Sequence, residues 1–117
     1  MPRGGFFQTE RNLKMTEIEI NGKKIAVDWD AQAYFRYERA GGTAEEMQAL
    51  ADKRGSAAAR ISTVVILAWA MLKGDSRAEY PTAEDLAPLF IPRFDAAAAE
   101  SLGNVIAAGN DAMKANL

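Results

Sequence analysis

The chain has 117 residues, 16 of them acidic and 14 basic, for a net charge of −2, and it contains neither histidine nor cysteine. That length suits one domain with one core, and a 26% charged, 49% hydrophobic composition is ordinary globular usage rather than disorder. The two missing residue types exclude disulfides, thiolate metal sites, a cysteine nucleophile, a Ser-His-Asp triad and any imidazole general base.

Residues 1–14 read as a flexible arm. They carry Gly4-Gly5, no hydrophobic periodicity and three basic residues against one acidic. Their basic residues surround only Phe6-Phe7, which is no signal-peptide core. Met15 then opens a clean strand signal, so a start at Met15, with the arm upstream of it, is one expectation. Residues 15–117 are expected to form a single domain.

Thr16 to Asp28 predicts a β-hairpin. Asn21-Gly22 is the strongest short hairpin signal, because a type I′ turn needs positive φ at both central residues. A two-residue loop pairs Ile20 with Lys23, Ile18 with Ile25 and Thr16 with Val27. Ile18, Ile20, Ile25 and Val27 then share one face, which Trp29 continues. Glu17, Glu19, Lys24 and Ala26 take the other, with Glu19 opposite Lys24. A lone hairpin is marginal, so its apolar face must pack on helices.

Asp30 is an N-cap for a first helix to about Ala40, whose apolar side is drawn from Ala33, Tyr34, Tyr37 and Phe35. Phe35 and Tyr34 cannot both face one core, so some exposure of Phe35 is worth noting. Gly41-Gly42 ends this helix. Thr43 and Glu46 have the spacing of a capping box for a second helix with Met47, Leu50 and Ala51 inward, stopped at Gly55. Ser56 is a cap for a third helix running to Lys73, with Gly74 after it. Ile61, Val64, Val65, Leu67, Ala68, Met71 and Leu72 cover most of its circumference, which marks a central buried helix. Its apolar stretch, 61–72, is too short for a membrane span of about 20 residues.

Gly74 to Pro81 reads as a polar loop. Thr82 and Asp85 cap a short fourth helix with Leu86, Leu89 and Phe90, limited by Pro88 and Pro92. Asp95 caps a last, alanine-rich helix from Ala96 to about Lys114. Gly103 and Gly109 weaken that helix, so its packing has to compensate. The fold class is therefore α+β, mainly α: an N-terminal β-hairpin packed on four to five helices.

Few residues are left over for chemistry. Glu45/Glu46 and Glu84/Asp85 sit in first helical turns, where the macrodipole favours acids, and Glu17/Glu19 lie on the solvent face of the hairpin. No phosphate-binding glycine pattern and no calcium-type loop occurs, so neither a cofactor nor a metal is expected. Trp29, Tyr34, Phe35 and Tyr37 with Arg36 and Arg39 resemble a base-stacking surface, but net acidity and the hairpin–helix corner favour a core role over nucleic-acid binding.

One pattern spans about 100 residues. Ile18-Glu-Ile-Asn-Gly-Lys-Lys-Ile25-Ala-Val-Asp gives the hairpin, and Tyr37-Glu38 precedes Gly41-Gly42. Leu67-Ala-Trp-Ala-Met-Leu-Lys73 lies in the central helix, and Thr82-Ala-Glu-Asp-Leu86 starts the next. This succession resembles the small tail assembly chaperones of long-tailed bacteriophages and prophages. The resemblance implies a non-enzymatic protein that binds the tape-measure and tail-tube proteins during tail morphogenesis, in the cytoplasm of an infected or lysogenic bacterium. It carries no catalytic motif over. Partner binding would use apolar side chains left over from the core, for which Phe35, Trp69, Phe90, Ile91, Phe94 and Leu102 are the candidates. Self-association is left open; no nucleic-acid or membrane partner is expected. Two alternatives stand beside it: a connector or other structural subunit retained in the virion, and a small hydrolase working with a converging pair of carboxylates.

Overall fold

A computed structural model of the chain describes residues 16–52, 61–91 and 93–115. The arm at 1–14 and the expected Gly55 stop and Ser56 cap lie outside the described residues.

Strands β1 (Thr16–Ile20) and β2 (Lys23–Val27) pair antiparallel in the expected register, with Thr16 opposite Val27, Ile18 opposite Ile25 and Glu19 opposite Lys24. Asn21 and Gly22 take φ of 49° and 91°, as a primed turn requires. Ile18, Ile20, Ile25, Val27 and Trp29 are all buried, while Glu17 and Glu19 face water. Six helices follow among the described residues: α1 (Ala31–Arg39), α2 (Ala44–Ala51), α3 (Ile61–Met71), α4 (Gly74–Glu79), α5 (Ala83–Leu86) and α6 (Ala96–Ala115). A 3₁₀ turn, Ala87–Leu89, extends α5. The class is α+β, mainly α, with the hairpin on one layer of a helical core.

Helix α3 is the spine. Thr63, Val64, Val65, Leu67, Ala68, Ala70 and Met71 are buried along it. It stops at Met71, earlier than its apolar run suggests, because the next residues are taken by the sheet. The Asp28 amide donates to the Met71 carbonyl and the Lys73 amide to the Ala26 carbonyl, both at 2.9 Å, making an antiparallel bridge between Val27 and Leu72. The Ala26 amide donates to the Ser76 hydroxyl, also at 2.9 Å. The outer edge of β2 is thereby covered rather than open to a foreign strand.

Gly74 does not simply terminate a helix. It takes φ of 56° and begins α4, in the stretch expected to be loop. No residue of α4 is buried, so that helix has no hydrophobic period to announce it.

The caps behave as their residue types dictate. Asp30 accepts from the Ala33 amide at 2.9 Å and Thr43 from the Glu46 amide at 3.2 Å. Thr82 and Asp85 form a reciprocal capping box. The Tyr37 hydroxyl donates to the Thr43 carbonyl (2.7 Å) and accepts from the Thr43 amide (3.1 Å), tying the connection between α1 and α2 to the core. Burial raises the Tyr37 pKa above its ordinary value.

The glycines of α6 mark close approaches. A Cβ on Gly103 would lie 2.3 Å from the Leu50 carbonyl oxygen, and one on Gly109 would lie 2.2 Å from that of Trp29. Their cost in helix propensity is offset because α6 settles directly onto α2 and onto the corner after β2. Next to Gly109, Asn110 accepts from the Trp29 indole nitrogen at 2.9 Å and turns its amide nitrogen to the Met47 sulfur at 3.6 Å.

Candidate partner-binding surface

The six apolar candidates separate into three groups. Phe90 and Leu102 are fully buried in the core, so they offer nothing to a partner. Phe90 caps the 3₁₀ turn after α5, and Leu102 lies on α6 beside Gly103. Both lie on the inward side of their helices, and an apolar residue at core period is spent there first. Trp69 and Phe94 are half-buried. The Trp69 indole nitrogen donates to the Pro81 carbonyl at 3.2 Å, and Phe94 stacks on Phe90 with ring centroids 6.2 Å apart. Phe35 and Ile91 are exposed, at 59% and 52%.

Ile61 is the third large exposed apolar residue among the described residues, at 46%. It was expected in the core as part of the α3 run. Helix α3 is apolar over more of its circumference than its neighbours cover: Thr63 and Val64 are buried in the same turn in which Ile61 is exposed. An all-round apolar run was the signal available, but only the positions of the neighbouring helices decide which member of it stays outside.

Ile61 and Ile91 line the same groove. It runs between the first two turns of α3 and α5 with its 3₁₀ extension, has a volume of about 360 Å³, and is bordered by Val65, Ile66, Ala83 and Ala87. Glu84 is the charged residue on its rim. A larger groove of about 550 Å³ between α2 and α6 mixes Met47 and Met113 with Asp52, Asp111 and Lys114. The smaller groove is thus the more apolar one. Phe35 lies on α1 and is not part of its lining.

The hairpin turn holds one wall of this groove in place. The Asn21 side-chain amide donates to the carbonyls of Leu89 (2.7 Å) and Arg93 (2.8 Å), the two residues that bracket the segment carrying Ile91. The Asn21 backbone amide donates to Asp95 at 2.9 Å, while the other Asp95 oxygen accepts from the Ala98 amide at 3.0 Å and caps α6. These amide hydrogen bonds hold the Asp95 pKa below the usual carboxylate value. One asparagine therefore fixes the turn, the loop and the start of the last helix.

The carboxylates singled out from the sequence are each engaged in, or exposed by, the fold. Glu46 accepts from the buried Thr63 hydroxyl at 2.6 Å, Asp85 belongs to its capping box, Glu17 and Glu19 are exposed together on β1, and Glu45 and Glu84 are exposed on α2 and α5. Asp30 accepts from Lys73 at 2.8 Å. Burial pushes the Asp30 carboxyl up, but the Lys73 and Ala33 hydrogen bonds and the charges of Lys73 and Arg36 outweigh it, and its pKa falls below the ordinary value. Among the described residues, no group of three or more acidic, histidine or cysteine side chains is placed to hold a metal ion, and no helix is long and apolar enough to cross a membrane. Comparison with protein-family models, with curated proteins and with solved structures finds no match for the chain.

Proposed function

We propose that this protein is a non-enzymatic tail assembly chaperone that binds the tape-measure and tail-tube proteins in the bacterial cytoplasm while a phage tail is built. Two things support the reading. One is the resemblance in hairpin, central helix and capped fourth helix. The other, which carries most of it, is the apolar groove whose two rims are the exposed Ile61 and Ile91. A groove of this kind accepts the apolar stripe of a partner helix, which is how a chaperone keeps an aggregation-prone segment soluble.

The test is co-expression with the tape-measure and tail-tube proteins of the same genome, followed by affinity capture. The expected result is a complex with at least one of them, weakened by Ile61→Ser together with Ile91→Ser while the isolated protein stays folded. Absence of any complex with either protein would sink the proposal. Recovery of the chain in purified particles would instead favour a retained structural subunit, because a chaperone leaves before the virion matures.

A further inference from the structure

Two guanidinium groups converge on the end of α3. Arg36 donates from Nε to the Ala70 carbonyl at 3.1 Å, and Arg77 donates from Nη1 to the Trp69 carbonyl at 3.3 Å. A helix C-terminus carries about half a unit of negative charge, so two full positive charges exceed what it needs. Burial and the neighbouring Arg36 charge both lower the Arg77 pKa, so the two groups are close enough to repel.

Each guanidinium has five N–H donors and spends one on the helix. The nearby Lys73 is neutralised by Asp30, and Lys23 by Glu79 at 3.0 Å. Among the described residues, no carboxylate forms an ion pair with Arg36, Arg39 or Arg77; Asp30 feels the Arg36 charge but is bonded to Lys73. Glu38 and Asp75, on α1 and α4, are exposed and form no ion pair with them.

Aromatic rings continue the strip at both ends. Arg77 lies 5.1 Å from the Trp69 ring centroid, and Arg39 lies 5.6 Å from that of Phe35. On α1, Arg36 and Arg39 are three residues apart and Phe35 and Arg39 four, so they are neighbours on the helix surface. The result is a run of guanidinium and ring, from Arg77 and Trp69 through Arg36 to Arg39 and Phe35, on a chain that is acidic overall.

We propose that this strip docks an acidic segment of a partner protein, whose carboxylates pair with Arg36, Arg39 and Arg77 while an apolar side chain seats against Phe35 or Trp69. Guanidinium forks match carboxylates in pairs, and cations that form no ion pair within the described fold gain one from the partner. A nucleic acid would meet the same cations, but a net-negative chain repels a long polyanion. Each ring also has a guanidinium against it, which leaves less face for a base to stack on. The strip is separate from the Ile61–Ile91 groove, and the proposal stands without the chaperone reading.

The test is fluorescence anisotropy of the full chain with a fluorescein-labelled glutamate-rich peptide containing one phenylalanine and one leucine. Saturable binding is expected, weakening about tenfold when salt shortens the screening length from about 10 Å to about 3 Å. Arg36→Gln combined with Arg77→Gln should weaken it at least about tenfold. Because that variant also removes two hydrogen bonds to α3, Arg39→Glu and Phe35→Ser are tested alongside. Both side chains are exposed and make no hydrogen bond within the described fold, and each substitution should weaken binding roughly fivefold with an unchanged circular dichroism spectrum. Failure to bind the peptide, indifference to Arg39→Glu and Phe35→Ser, or tighter binding of oligothymidylate at the same residues would each overturn the proposal.

Discussion

Replacing Gly109 by alanine sets two physical effects directly against each other. In an isolated helix the substitution is worth about 1 kcal/mol in favour of folding. Here the new Cβ would lie 2.2 Å from the Trp29 carbonyl oxygen, 2.8 Å from Trp29 Cβ and 2.9 Å from Cδ1, where ordinary contact begins at 3.4 Å. Something must move by about 1.2 Å, the difference between 3.4 Å and 2.2 Å. Trp29 cannot retreat easily: Asp28 before it is bonded to the Met71 carbonyl and Asp30 after it caps α1. Moving α6 instead loosens Ala99, Leu102 and Ile106, all buried. Overpacking of this kind costs roughly 3–4 kcal/mol where backbone opposes backbone, leaving a net loss of about 2–3 kcal/mol. For a domain of this size that lowers Tm by roughly 10–20 °C. Thermal and urea unfolding followed by circular dichroism measures it, with Asn104→Ala, at an exposed position of the same helix, as the control expected to stabilise by about 0.5 kcal/mol. If Gly109→Ala gains stability as the control does, the close approach of α6 to Trp29 is wrong.

Asn21→Gly keeps the positive φ but loses both side-chain hydrogen bonds, and should cost about 1–2 kcal/mol; Asn21→Ala adds backbone strain of about 1 kcal/mol more, so urea midpoints should rank wild type above glycine above alanine. Thr63→Val keeps the shape of a buried residue while removing the donor to Glu46, and should cost about 1–2 kcal/mol without changing the helical spectrum; an unchanged urea midpoint would deny that bond any weight. Asp30 and Asp95 both titrate lower in the folded chain than in the unfolded one, so the unfolded chain binds more protons between the two pKa values. The stability they contribute is complete above about pH 5 and is lost as the pH falls through the unfolded and then the folded values, so Tm should drop below about pH 5 and drop less steeply in Asp95→Asn. With no histidine, the α-amino group is the ordinary titrating group between pH 6 and pH 8, so Tm measured there should be nearly flat, and a drop of several degrees across that window would contradict this reading.

Much of the architecture was legible because its signals are local. Asn21-Gly22 sets the turn, the alternation of isoleucines sets which face is buried, and Asp30, Thr43, Thr82 and Asp95 announce helix starts through their own side-chain geometry. Helix α4 was illegible for the converse reason, since it buries nothing and Ser76 serves the sheet rather than a cap. The candidate surface was legible only in part. Phe35, a candidate for a side chain left over from the core because it and Tyr34 cannot both face it, is exposed. Phe90 and Leu102 were misplaced outside, and Ile61 inside, because hydrophobicity reports what a residue can bury and not whether a neighbour arrives to bury it.

The one-dimensional chain therefore determined the hairpin and its register, the order and caps of most helices, the central position of α3 and the absence of imidazole and thiol chemistry. Those follow from backbone sterics, hydrophobic period and residue inventory, all of which act within a few residues of themselves. Tertiary structure alone decided that residues 71–73 leave the helix to seal the edge of β2, that Gly103 and Gly109 are contact points, that Ile61 meets Ile91 across a groove, and that Arg36 meets Arg77 at the end of α3. Each of these joins segments far apart in the chain, and such meetings are set by how helices of particular length and tilt pack, which no local pattern encodes.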